Sequence, residues 1–117
     1  TGPISLLAML GDASKVTTSW YPLMNHLGQK LCWLWLQMHE AEVQLCCAMN
    51  WQVLHNGTPI QSRPIKIEKP HTIGYSLTIN MKQGDSCLLR KTVAVVDSRH
   101  HEKDHLIDDA IACLTEL

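Results

Sequence analysis

Residues 31–55 read LCWLWLQMHEAEVQLCCAMNWQVLH, and whether they form helix or strand decides the fold. The stretch is rich in Leu, Gln, Met, Glu and Ala, which lose little side-chain freedom in a helix. Positions 31, 34, 38, 41, 45, 48 and 52 are Leu, Leu, Met, Ala, Leu, Ala and Gln. Six of these seven are apolar at alternating three-four spacing, the stripe of one helical face. Upstream, Ser19 is a suitable N-cap and Pro22 falls in a first helical turn; downstream, Asn56-Gly57 is a suitable stop. The spacing therefore predicts one long helix from Trp20 to His55, broken near Gly28. The competing reading makes CWLWLQMH a buried strand, in which Trp33 and Trp35 share a face.

On the N-terminal side, PISLLAML (Pro3 to Leu10) has Pro at a helix start and Ile4, Leu7 and Leu10 at helical spacing, so a short first helix is expected. On the C-terminal side the pattern changes to period two. RPIKIEKP alternates Ile65 and Ile67 with Lys66 and Glu68 between two prolines, as an edge strand would. In HTIGYSLTINMK, Ile73, Tyr75, Leu77, Ile79 and Met81 share one face of a strand. QGDS is a turn, and CLLRKTVAVV is the returning strand, with Val93 and Val95 inward and Lys91 at its exposed start. A closing helix from about Ser98 to Leu117 presents Leu106, Ile107, Ala110, Ile111, Leu114 and Leu117 on one side. The expected class is α+β: a short helix, a long helix, a three-stranded antiparallel sheet, and a C-terminal helix packed on one sheet face.

The 117 residues suffice for one domain, read as 1–117 and as excised from a larger protein because the chain opens Thr1-Gly2. With 45% hydrophobic and 18% charged residues the composition is that of a folded chain. A formal net charge of −1 supplies no global attraction to nucleic acid or membrane, and LCWLWL (Leu31 to Leu36) is too short to span a bilayer. The five cysteines (Cys32, Cys46, Cys47, Cys87 and Cys113) are odd in number, form no C-x-x-C and sit among apolar neighbours. Buried reduced thiols, and hence a cytoplasmic or nuclear location, are expected. Asn56-Gly57-Thr58 matches a glycosylation sequon but is followed by Pro59.

His101-Glu102-Lys103-Asp104-His105 matches the H-E-x-x-H of zinc peptidases, where two histidines one turn apart hold the metal and the glutamate activates water. On the expected closing helix, however, His101 and His105 fall about 155–195° from the apolar stripe, on the wet side. The longer zinc motif would also need Gly and His where Asp108 and Ile111 stand. A zinc hydrolase through His101 and His105 is a remote alternative. No Gly-rich phosphate loop and no G-x-S-x-G occurs, Cys46-Cys47 reads as packing, and no cofactor is expected.

Residues 63–91 carry a net charge of +4 and residues 97–117 a net charge of −4. The basic set Arg63, Lys66, Lys69, Lys82, Arg90 and Lys91 defines an alternative function, a nucleic-acid-binding sheet face. GPISLLAML resembles the opening helix of double-stranded-RNA-binding domains, and strands followed by a closing helix are in that family's order. SRHHEKDH stands where that family places a basic cluster, so the resemblance implies a member turned to protein contacts. The leading expectation is a non-enzymatic protein–protein interaction or assembly module whose long-helix stripe exceeds what a small core covers. Its contact positions would be Leu34, Trp35, Met38, Ala41, Leu45 and Met49, and a homodimer through paired long helices is one form of it.

Overall fold

The computed structural model describes residues 2–10, 20–60, 63–69 and 72–115. They form eight strands and one helix: β1 (Gly2–Leu10), β2 (Trp20–Leu27), β3 (Leu31–Met38), β4 (Gln44–His55), β5 (Thr58–Pro59), β6 (Ile65–Lys69), β7 (Thr72–Met81), β8 (Cys87–Asp97), a 3₁₀ turn (Lys103–His105) and α1 (Leu106–Leu114). One sheet has the order β1-β7-β6; the other runs β2-β3-β4 and extends to β5 and β8, which both pair with β4. All pairings are antiparallel. The α+β expectation is thereby corrected to a β-sandwich with one short helix on its outer side.

The correction begins in the opening stretch. The expected long helix is three strands, β2, β3 and β4, separated by two turns. Period-two burial wins because both faces find cover. In β3, Cys32, Leu34 and Leu36 face the small sheet at 0, 0 and 2% exposure. Trp33 and Trp35 share the opposite face, packed with the layer beneath α1. In β4, Met49, Trp51 and Val53 join the inter-sheet core while Cys46 and Ala48 point to α1. The second turn, residues 39–43, contains neither Gly nor Pro; the Met38 N–H donates to the Val43 carbonyl at 2.9 Å and a side chain braces the loop. The Gln37 amide donates to the carbonyls of Met38, Ala41 and Val43 at 3.1–3.3 Å and accepts from Gln44 Nε2 at 3.1 Å. Trp35 Nε1 in turn donates to Gln44 Oε1 at 3.1 Å. Pro22 lies in the edge strand β2 beside a β-bulge, where its missing N–H is tolerated.

Asn56-Gly57 is a two-residue hairpin connection, not a helix stop. Both residues have positive φ (53° and 81°), which matches the twist of the strands it joins, β4 and β5. Residues 2–10 are a strand and not a helix: β1 pairs with β7 along its whole length, from Gly2↔Met81 to Leu10↔Ile73. β6, β7 and β8 lie where period two puts them, but they do not form one sheet. β8 pairs with β4 over eleven positions, and β6 and β7 belong to the other layer. Val93 and Val95, expected inward, are 44% and 57% exposed, because the narrower small sheet does not extend over that edge.

The inter-sheet core joins Ala8, Leu10, Ile73, Tyr75, Leu77 and Ile79 to the inward residues of β3 and β4. Tyr75 also fastens the layers together, its hydroxyl donating to the Gly28 carbonyl in the β2–β3 turn at 2.7 Å. On the far side of the large sheet, Leu106, Ala110 and Leu114 of α1 cover Cys46, Ala48 and Val96. The closing helix is shorter than expected. Asp97 Oδ1 accepts from the backbone N–H of Arg99 and His100, a local turn that competes with helix formation. No described helix is long and apolar enough to cross a membrane.

Candidate functional site

The zinc reading of HEKDH does not survive the fold. His101 lies before the 3₁₀ turn, and its Nδ1 pairs with Asp109 Oδ2 at 2.9 Å. His105 closes that turn, 3.7 Å from Glu102 and with its side chain 62% exposed. The two rings therefore do not share a helical face. Among the described residues no group of three His, Cys, Asp or Glu side chains could hold a metal ion.

The six positions expected to meet a partner are dispersed. Leu34 and Met49 are fully buried between the sheets and Leu45 packs beside them. Trp35 faces the helix layer, Met38 ends β3, and Ala41 is exposed in the turn. With no long helix there is no seam for a homodimer of that form. The basic set is also divided. Lys66 and Lys69 stand on β6 of the small sheet with Arg63 leading into it, Lys82 follows β7, and Arg90 and Lys91 stand on β8 of the large sheet. Alternation sends Arg90 and Lys91 to opposite faces, and Lys91 Nζ donates to the Met9 carbonyl at 2.5 Å.

At one end of the molecule Asp85 clips two turns together. Its Oδ2 accepts from Lys82 N and lies 2.9 Å from His55 Nε2, while Oδ1 accepts from Asn56 Nδ2 at 3.1 Å. These bonds, the Lys82 amide first, hold the Asp85 carboxyl down at about 2. A carboxylate whose pKa is lowered by folding stabilises the fold above its unfolded value, near 3.8, and loses that contribution as pH falls toward 2. Melting temperature should therefore drop between about pH 4 and 2, and Asp85→Asn should flatten that portion of the profile. An unchanged slope in the variant would remove Asp85 as the titrating group.

The larger cleft lies on the helix-bearing face of the large sheet. Under α1 that face is apolar (Cys46, Ala48, Ala94 and Val96). Two rows further along the same strands it turns polar, with Asn50 opposite Thr92 and Gln52 opposite Arg90. Lys30, from the β2–β3 turn, joins them beside Leu31, which pairs with Asn50. Together with Trp51 these residues line a cleft of about 330 Å³. Asn50, Gln52 and Thr92 are half-buried, Lys30 and Arg90 are exposed, and among the described residues no carboxylate lines the space. The sequence shows these residues, but their meeting depends on residues 44–55 being a strand paired with β8. A second, smaller cleft of about 160 Å³ is lined by Trp20, Met38, Val43, Leu45, Asp97 and Arg99.

The described thiols are free. Burial pushes Cys32 and Cys47 up to about 11 and Cys46 to about 12, so these three are not prepared as nucleophiles.

The fold is thus that of an antiparallel β-sandwich domain in which, among the described residues, no group of three His, Cys, Asp or Glu side chains could hold a metal ion. Residues 11–117 match the model of the glycosyl hydrolase family 65 N-terminal domain, and the chain belongs to that family. A solved structure assigned as a kojibiose phosphorylase from the human microbiome superposes with a TM-score of 0.73 at 12% identity, over 97% of this chain and 15% of that one. The chain thus spans about 15% of the length of that relative. No curated protein matches the sequence. Family membership overturns three expectations: the assembly module, the nucleic-acid module and the non-enzymatic assignment. This is an N-terminal domain of glycosyl hydrolase family 65.

Proposed function

We propose that this domain serves an enzyme that breaks the glycosidic bond of a disaccharide such as kojibiose, with water or phosphate as acceptor, and that the reacting carboxylates come from outside these 117 residues. The observation behind the second half is the lining of the two clefts. Hydrolysis of a glycosidic bond by the common route needs two carboxyl groups flanking it, about 5–10 Å apart, and direct attack by phosphate still needs one as proton donor to the leaving oxygen. Among the described residues, the larger cleft has no carboxylate and the smaller has Asp97 alone. Asp97 is already engaged by His100 and by the backbone of Arg99, and the His100 hydrogen bond is the foremost cause of its lowered pKa. That is the setting of a structural acid, opposite to the raised pKa of a proton donor.

In the parent enzyme, Asp97→Asn should leave kcat on a disaccharide within about twofold of the unaltered protein, whereas removal of a reacting carboxylate costs on the order of a thousandfold. A loss of that size at Asp97 would place catalysis in this domain. A parent enzyme that cleaves no glycosidic bond with either acceptor would end the reading altogether. The same proposal includes an intracellular, reducing compartment, supported by five free thiols of which Cys32 and Cys46 are fully buried.

A further inference from the structure

We infer that the polar rows beyond α1 bind a phosphate monoester of a small sugar. Antiparallel register sets Asn50 beside Thr92 and Gln52 beside Arg90 on one face, between the helix-covered rows and the apolar pair Leu54 and Leu88. Lys30 enters from the β2–β3 turn. Two cations therefore share a cleft that no carboxylate of the described residues lines. Among the described residues neither Lys30 nor Arg90 has an acidic partner within 4 Å, every such pair there being made by a histidine. An arrangement of this kind favours an anion, and an Arg fork with a neighbouring ammonium suits phosphate oxygens.

The other three side chains select what the phosphate is attached to. Two amides and a hydroxyl, half-buried and without intrachain partners among the described residues, offer donors and acceptors in the mixture that a polyol needs. A volume of about 330 Å³ sits at the small end of the range for organic ligands and exceeds what bare phosphate fills. The site is separate from the bond-breaking chemistry proposed above, and it does not depend on that reading.

The test is an NMR titration of the full chain with glucose 6-phosphate, inorganic phosphate and glucose as separate probes. Saturable shifts of the Asn50 and Gln52 side-chain amides with glucose 6-phosphate are expected, with affinity about tenfold or more above that for either other probe. Arg90→Gln and Lys30→Gln should each lower that affinity about tenfold or more. Lys30 lies in an exposed turn, so its variant reports even if the Arg90 variant folds poorly. Equal binding of inorganic phosphate would remove the sugar from the proposal. Equal binding of glucose would remove the anion. Shifts elsewhere, or affinity unchanged in Lys30→Gln, would overturn the site. A parent enzyme inactive on disaccharides would leave these readouts untouched, so the two readings fail separately.

Discussion

Gly74→Val should cost about 3 kcal/mol or more, a large share of the stability of a domain this size. Gly74 sits in β7 opposite Met9 of β1, with Ile67 of β6 on its other side. A β-carbon there would press against the Ala8 carbonyl oxygen and lie 2.6 Å from Met9 Sδ and 2.8 Å from Met9 Cα. The Met9 side chain could swing away, but the two backbone atoms cannot move without lifting β1 from its ladder. That ladder carries Ala8 and Leu10 into the core, so one added side chain dislodges two buried ones. Urea unfolding monitored by tryptophan fluorescence would read the loss as a lowered midpoint. Thr78→Val, at an exposed position of the same strand, is the control and should shift stability by no more than about 0.5 kcal/mol. Equal midpoints for the two variants would show that β1 does not lie as described.

Leu34→Ala should cost about 2–5 kcal/mol, the range for emptying a fully buried leucine site. Leu34 is 0% exposed at the centre of β3, and hydrogen-bonded strands on both sides of it limit collapse into the space. Ala41→Ser, exposed in the turn at residues 39–43, should change stability by no more than about 0.5 kcal/mol. A single helical seam would give the two positions comparable environments, and a sandwich separates them entirely. Denaturant midpoints of the two variants therefore also test the fold, and similar losses would contradict it.

How far the fold could be read from the chain depended on the type of turn. At QGDS before β8 and the prolines around IKIEK, period two was legible and the strands lie where it puts them, whereas Gly28 and Gly57 suited a helix break and a helix stop as well as they suit turns. The turn at residues 39–43 is spelled HEAEV, good helix formers without a breaker, and it is braced by the amide of Gln37. That bond is invisible before the strands are placed. A long helix was the natural result of reading through it, aided by a strand pair buried on both faces, which shows apolar residues in nearly every register. The alternation that makes Trp33 and Trp35 neighbours was present in the sequence as the competing pattern. The candidate site was less legible still. Asn50, Gln52, Arg90 and Thr92 are ordinary polar residues until the pairing of β4 with β8 brings them side by side.

The alternation of β4 also has a consequence for its two adjacent cysteines. Cys46 is sealed under α1 and Cys47 is half-buried against the opposite layer, so neighbours in the chain occupy separate compartments. With both thiols held weakly acidic, a thiol-specific reagent reaches Cys46 only when the helix above it lifts, while Cys47 is already partly open to it. Labelling at Cys46 therefore times the lifting of the helix, and labelling at Cys47 gives the rate without that motion. A clock and its reference thus stand one peptide bond apart.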